Sequence, residues 1–377
     1  MRTLTNFTVE NKTVALRVDL NVPIQEGQIL DDARITAILP TVKYLLLQNA
    51  KIILISHFGR PKAGCFDLKF SLQPIAKKLS ELLNLEVPLI SSIANANFQS
   101  PISLLENIRF LAGELENDLD LAQRLGAMAE VYVFDAFGAS HREHASTYGA
   151  IQHAAVSCAG LLLETETTAL SRATNSLDKP VLSIVGGSKV SSKLEVIKNL
   201  SRLSDNIITG GGITNTFLKA KGFNIGNSLF EDSMLLEAKN LLSTANIYLP
   251  SKVVVGSNIN STESRECDVT CVQDHEMILD QVVDDQALTL ISQAKQIIWN
   301  GPIGVFENNA FAHGTQQLAE AIAQSSAFSL AGGGETLLAI KMFINKDDIS
   351  YCSTGGGAFL EFMEGKELPS LSALGYK

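Results

Sequence analysis

The sequence is short of positive charge: 30 Lys and Arg stand against 40 Asp and Glu, a net charge of -10 in 377 residues. Such a chain is poorly suited to nucleic acid or a membrane surface. Any anionic ligand must be met by cations gathered in one place. Long apolar runs are also missing; Ile38–Leu47, among the most apolar stretches, is interrupted by Pro40 and Lys43, so no membrane span is expected. The opening MRTLTNFTVENK has no apolar core behind its basic residue and does not read as a signal peptide. Cysteines number only five, an odd count scattered through a large chain, which suggests reduced thiols in a cytoplasmic protein. Cys267, Cys271 and His275 have ligand-like spacing but no fourth partner for zinc in sight, and they read better as an irregular surface segment. His141 and His144 read as chance spacing in a loop. The familiar nucleotide signatures are absent: no G-x-x-x-x-G-K-[ST], no G-x-G-x-x-G after a strand, and no protein-kinase set.

What is present is a repeated unit: an apolar β-branched run, a glycine or polar turn, then an amphipathic helical pattern. The first half has runs at Lys12–Leu20, Lys51–Ser56, Ile102–Glu106 and Val131–Phe137. Helical patterns lie at Arg34–Gln48, with Asp31 and Asp32 as candidate caps, and at Leu72–Leu83. The second half has runs at Pro180–Gly187, Asn206–Gly211, Lys252–Gly256, Gln296–Gly301, Ala327–Gly333 and Ile349–Gly356. Continuous apolar runs suit strands covered on both faces. The length exceeds one ordinary core. The expectation is therefore an α/β protein of two doubly wound, mostly parallel-sheet domains, residues 1–165 and 166–366, joined near a helix at Leu161–Ala173.

Glycine is concentrated in the second half, as IVGGSK at Ile184–Lys189, TGGGIT at Thr209–Thr214, AGGGET at Ala331–Thr336 and STGGGAF at Ser353–Phe359. Each falls at the carboxyl end of an expected strand, where open α/β sheets bind ligands. Tight turning alone would account for one such cluster. Four at equivalent places favour a phosphate-rich nucleotide approached by bare backbone and helix N–H groups. The first half carries charge at its strand ends instead: Asp19 and Asn21, His57 and Arg60, Arg109, and Arg142, with Arg34 after the first loop. One arginine is ordinarily a solvated surface charge. Several at the ends of one sheet suit a small, highly anionic substrate, because the guanidinium fork matches phosphate and carboxylate.

VDLNVP, DDARITAILPT, SHFGRP, LLENIRF, DAFGASHREHAST, VGGSKVSSKL, GGGITNTF, WNGPIGVFE, AGGGET and STGGGAFLEFMEGKELP occur in this order. Together they resemble the phosphoglycerate kinase family along nearly the whole chain, its bacterial members most closely. The resemblance implies phosphoryl transfer between 1,3-bisphosphoglycerate and ADP, giving 3-phosphoglycerate and ATP with Mg2+. It implies a first domain for the triose. There Asp19, Leu20 and Asn21 meet its hydroxyl and carboxylate end, Arg34 the reacting group, and His57, Phe58, Gly59, Arg60, Arg109 and Arg142 the distal phosphate. It implies a second domain for the nucleotide. There Lys189 and Lys193 meet the phosphates, Gly211 and Gly212 flank adenine, and Glu307 meets ribose. Gly333, Gly334, Glu335 and Thr336 serve phosphates and metal, and Gly355, Gly356 and Gly357 present a helix start. It also implies a monomer whose tail, 367–377, returns to the first domain.

The chemistry agrees. Both attacking groups, a carboxylate and an ADP oxygen, are already anionic, so no general base is required. The task is to bring anions together, stabilise the transferring group and exclude water. Arg34 and Lys189 are the candidate cations, and two half-sites suggest hinge closure. One departure stands out: Glu335 occupies a place where the family typically has aspartate. A catalytically silent nucleotide-binding relative is favoured only by that residue. A dinucleotide-dependent dehydrogenase is opposed by the missing fingerprint.

Overall fold

The computed structural model describes residues 1–96, 98–175 and 178–376. The chain forms two compact units, Met1–Thr168 with Glu367–Lys377, and Ala169–Lys366. The placement of Lys377 itself, the last residue of the expected tail, lies outside the described residues. The division falls inside the helix Leu161–Asn175.

In the first unit, β1 (Thr13–Val18) is buried from Val14 to Val18 and lies inside the sheet, between β4 and β7. A two-residue hairpin, β2 (Ile24–Gln25) and β3 (Gln28–Ile29), follows it. The remaining strands are β4 (Lys51–Ile55), β5 (Leu89–Ile90), β6 (Ile102–Leu105), β7 (Val131–Asp135) and β8 (Ser157–Ala159). The parallel order β5-β6-β4-β1-β7-β8 winds away from β1 in both directions. Its core packs Val14, Leu16, Val18, Ile52 and Leu54 against Ile35, Val42 and Leu79 of flanking helices. The final helix, Pro369–Ala373, belongs here: Ser370 N–H donates to the Ser140 carbonyl at 3.1 Å, and Leu371 and Leu374 are buried.

The second unit has a sheet of the same kind. Its strands β9 (Val181–Gly186), β10 (Asn206–Gly210), β11 (Ile247–Tyr248), β15 (Gln296–Asn300), β16 (Phe328–Gly332) and β17 (Tyr351–Ser353) lie in the parallel order β11-β10-β9-β15-β16-β17. A separate antiparallel sheet holds β12 (Lys252–Gly256) between β13 (Arg265–Asp268) and β14 (Met277–Gln281).

Three expectations need correction. Lys252–Gly256 is not a strand of the parallel sheet. Val253 and Val255 are buried while Lys252 is exposed, so one face only is covered, as antiparallel sheets allow. Arg34–Gln48 is two helices, Ala33–Ala37 and Leu39–Leu47, meeting at Ile38. Pro40, at the start of the second, has no N–H to continue the first. Cys267 lies in β13 and is buried, so the Cys267–His275 stretch is not wholly irregular.

Candidate functional site

In the first sheet the connections leave β1 toward β4 on one side and return to β7 on the other, so the crevice of an open α/β sheet opens beside β1. The loops after β1, β4, β6 and β7 supply Asp19, Leu20 and Asn21, then His57, Phe58, Gly59 and Arg60, then Arg109, then Arg142. These loops are tied to one another. Asn21 Oδ1 accepts from Gly59 N–H at 3.0 Å, and Leu20 N–H donates to Ser56 Oγ at 2.9 Å. Asn107 clamps the next loop: its Oδ1 accepts from Phe58 N–H at 3.1 Å and from Arg109 N–H at 3.1 Å. Arg109 Nη1 donates to the Gly59 carbonyl. Arg34 Nη1 reaches Asp19 Oδ2 at 2.8 Å. Arg142 Nε meets His141 Nε2 at 3.2 Å. Arg60 is exposed.

Arg17 belongs to this cluster although its position inside an apolar strand did not suggest it. It is 1 % exposed; its Nε donates to Ser146 Oγ at 2.9 Å, its Nη1 to the Val18 carbonyl, and its Nη2 to His57 Nδ1 at 3.0 Å. The available signal was a single arginine in VALRV, since a cation in a buried strand needs partners. A guanidinium can only donate, so Nδ1 of His57 accepts and the ring proton sits on Nε2. Burial holds His57 well below the ordinary imidazole range, reinforced by Arg17, Arg109, Arg142 and Arg34. Burial brings Arg109 down to about 10, with Arg142 and Arg17 adding to the effect, which leaves it cationic at neutral pH. His144 falls to about 4 through burial and the same arginines, so its 3.9 Å approach to Glu114 is not an ion pair at neutral pH. The cluster is strongly electropositive.

In the second sheet the connections run from β9 to β10 and β11 on one side and from β15 to β16 and β17 on the other, and the glycine stretches follow β9, β10, β16 and β17. They do different work. A Cβ on Gly186 would stand 1.8 Å from the Pro302 carbonyl oxygen, and one on Gly212 would stand 2.1 Å from that of Ser188. Both glycines are required by backbone packing between loops. Gly211, Gly333 and Gly356 take positive φ at +65°, +98° and +52°, as strand-to-helix turns demand. Around Gly334 and Gly356 a Cβ would meet nothing within 4 Å, so these two lie open. Helices begin at Gly212, Gly334 and Gly357, whereas IVGGSK runs into a turn and its helix starts only at Leu194. Gly355 N–H is held by Ser353 Oγ at 3.1 Å.

Lys189 is exposed on that turn, which Glu231 staples by accepting from Ser191 N–H at 2.8 Å and from the Ser191 hydroxyl. Lys193 Nζ donates to Asn300 Oδ1, and Asn300 Nδ2 donates to the Gly332 carbonyl at 2.7 Å. Burial lowers Lys193, partly offset by the carboxylates of Glu335 and Glu364. Thr336 is buried, with Oγ1 accepting from Gly301 N–H at 2.8 Å and donating to the Gly332 carbonyl at 2.9 Å. It fixes the turn. Glu335 beside it is exposed in the first turn of its helix. Glu307 stands apart on an open depression of about 960 Å3 with Ile259, Asn260, Val305, Asn308 and Asn309.

An electropositive strand end in one parallel sheet, and open glycine-bounded helix starts in another, define an enzyme class that moves phosphoryl groups between small anions. The family model described as phosphoglycerate kinase matches residues 4–366. Phosphoglycerate kinase of Francisella philomiragia is 45% identical over 382 residues, covering 99% of this chain and 97% of that protein. That of Baumannia cicadellinicola is 46% identical over 377 residues, covering 98% and 97%. The solved phosphoglycerate kinase of Coxiella burnetii superposes with a TM-score of 0.95 at 43% identity, over 99% of this chain and 98% of that one. That of Pyrococcus horikoshii superposes with a TM-score of 0.83 at 34% identity, over 100% and 99%. The chain belongs to the phosphoglycerate kinase family. Its reaction is that of the family: reversible phosphoryl transfer from 1,3-bisphosphoglycerate to ADP, giving 3-phosphoglycerate and ATP in glycolysis.

Proposed function

We propose that the first unit holds the triose and the second the nucleotide. The observation that carries this reading is the gathering of arginines at the strand ends of the first sheet: Arg17 bonded to His57 Nδ1 at 3.0 Å, Arg109 tied to the Gly59 carbonyl, and Arg34 held at 2.8 Å by Asp19. In this reading Arg109, Arg142, Arg60 and the Nε2–H of His57 hold the distal phosphate, while Asp19, Leu20 and Asn21 position the other end. Arg34 leaves Asp19 to meet the transferring group. Lys189 joins it from the nucleotide side, so that cations offset the charge on the three equatorial oxygens in the transition state.

Phosphates lie over the open Gly334 and Gly356 in this reading, near Lys193, with adenine by Gly211 and Gly212 and ribose at Glu307. Magnesium arrives with the nucleotide. Among the described residues no group of three or more His, Cys, Asp and Glu gathers as a metal cage. One exposed carboxylate, Glu335, fits an ion that takes most of its ligands from phosphates and water. The reading also takes the enzyme as a cytoplasmic monomer whose domains close about a hinge to exclude water. Among the described residues no helix is long and apolar enough to cross a membrane.

The test is a pair of variants assayed with 3-phosphoglycerate and MgATP. Arg109→Met raises KM for the triose roughly tenfold or more and leaves that for MgATP near its starting value. Lys193→Met does the reverse. Matching effects on both substrates would overturn the division of labour.

A further inference from the structure

Behind the arginines lies a carboxylate that the reaction does not touch. Glu114 is 1 % exposed, in the segment between the short 3-10 helix Ile108–Phe110 and the helix Leu119–Gly126. Its two oxygens both serve Ser146: Oε2 accepts from the Ser146 N–H at 2.9 Å and Oε1 from the hydroxyl at 2.6 Å. The backbone is pinned as well, because the Glu114 carbonyl accepts from Ala145 N–H at 2.9 Å and Tyr132 Oη donates to the Ser146 carbonyl at 2.6 Å. Since the Ser146 hydroxyl proton goes to Glu114, the free side of Oγ is left to accept from Arg17 Nε at 2.9 Å. Arg17 in turn fixes the tautomer of His57.

We propose that Glu114 is a positioning residue for the triose end of the site, acting through Ser146 on Arg17 and, through Arg17, on His57. The inference rests on the first unit being the triose site. The polarity of the chain is what matters. An acid or amide at residue 114 brings a donor to where Ser146 now donates. The hydroxyl must then accept from that donor and loses its clean alignment to Arg17. Burial raises the Glu114 carboxyl to about 7 even with Arg17, the two Ser146 hydrogen bonds and Arg109 opposing it, so the carboxylate that both Ser146 donors require gains population as pH rises through neutrality. The other titratable groups facing it are His144, kept neutral, and Tyr132, pushed far up by its own burial.

The experiment is steady-state kinetics in both substrates on the full-length enzyme for Glu114→Gln, Ser146→Ala and the double variant, with Arg109→Met as control. Each single variant raises KM for 3-phosphoglycerate by about tenfold, as expected when a charge-assisted hydrogen bond is uncoupled, while KM for MgATP stays within about twofold. The double variant is no worse than the singles, because both cut one chain. Additive losses, equal changes in both KM values, or an unchanged triose KM overturn the proposal. If Glu114→Gln does not fold, Ser146→Ala carries the same KM comparison and decides alone. If Arg109→Met also leaves the triose KM unchanged, the triose-site reading fails; if only Arg109→Met raises it, the positioning role alone fails.

Discussion

Arg34 Nη1 lies 2.8 Å from Asp19 Oδ2 and 3.1 Å from the Asn21 carbonyl oxygen. The guanidinium is partly exposed and held by the carboxylate of its neighbour loop. In the proposed role a ligand phosphate would compete with Asp19 for it, so ground-state binding would gain little. The competition shifts as charge develops on the transferring group.

Arg34→Ala therefore lowers kcat by about 100-fold or more, the scale of losing one transition-state donor. KM for 3-phosphoglycerate changes only a few-fold. Weak binding with unchanged turnover, measured by substrate titration at saturating MgATP, sinks this role for Arg34.

A second test concerns the fold of the second unit. Asp280 is buried on β14; its Oδ2 accepts from Gly314 N–H at 2.7 Å, and burial raises the carboxyl to about 7. In the unfolded chain the group titrates near 4. Between those values the folded state binds the proton more tightly, so the contribution of Asp280 to stability is fully present at low pH and is lost as pH rises to about 7. Asp280→Asn cannot ionise. Its stability relative to wild type should increase between about pH 4 and pH 7 and level off above that in thermal unfolding. A constant difference would show that the carboxyl is not raised.

The glycines divide by what surrounds them. Gly212→Ala drives a methyl into the Ser188 carbonyl and should lower Tm by several degrees, since relief needs a backbone shift of both loops. Gly334→Ala meets nothing in the protein and starts a helix, so Tm should hold or rise slightly. Its nucleotide KM should nonetheless rise if, as proposed, the nucleotide phosphates lie over Gly334, because the added methyl would occupy that space. Calorimetry and nucleotide titration together check the contrast. A Gly334→Ala enzyme with normal nucleotide KM removes Gly334 from the phosphate site.

That contrast marks how far the sequence could be read. Continuous apolar runs showed both parallel sheets, because strands covered on two faces need them. KVVVG looked the same as the others, since one-faced burial in a short strand leaves little trace when Val254 on the open face is also apolar. Glycine clusters showed where strands turn into helices. They did not show that Gly186 and Gly212 serve loop packing while Gly334 and Gly356 stay open, which depends on carbonyls far along the chain. Exposed-looking arginines in loops were legible as a cluster. Arg17, Asn107 and Glu114 were not, because their partners are set by the meeting of separate strands.

Glu335 gives the last test. It is exposed in the first turn of the helix Gly334–Phe343, and its charge bears on Lys193. Magnesium requires near-octahedral geometry at short distances, so if Glu335 serves the proposed metal, one methylene beyond aspartate would change how its carboxylate reaches the ion. Glu335→Asp should keep or raise turnover with magnesium, and Glu335→Gln should lose much of it. Manganese, more tolerant of distorted geometry, should narrow the gap between wild type and Glu335→Asp. A purely structural Glu335 would act through the helix dipole, worth about 0.3–1 kcal/mol. Glu335→Gln would then lower Tm slightly and leave the magnesium dependence of turnover unchanged. Turnover against magnesium and manganese concentration for the three proteins separates the two roles, because a metal ligand moves the concentration for half-maximal activity and a helix-stabilising charge does not.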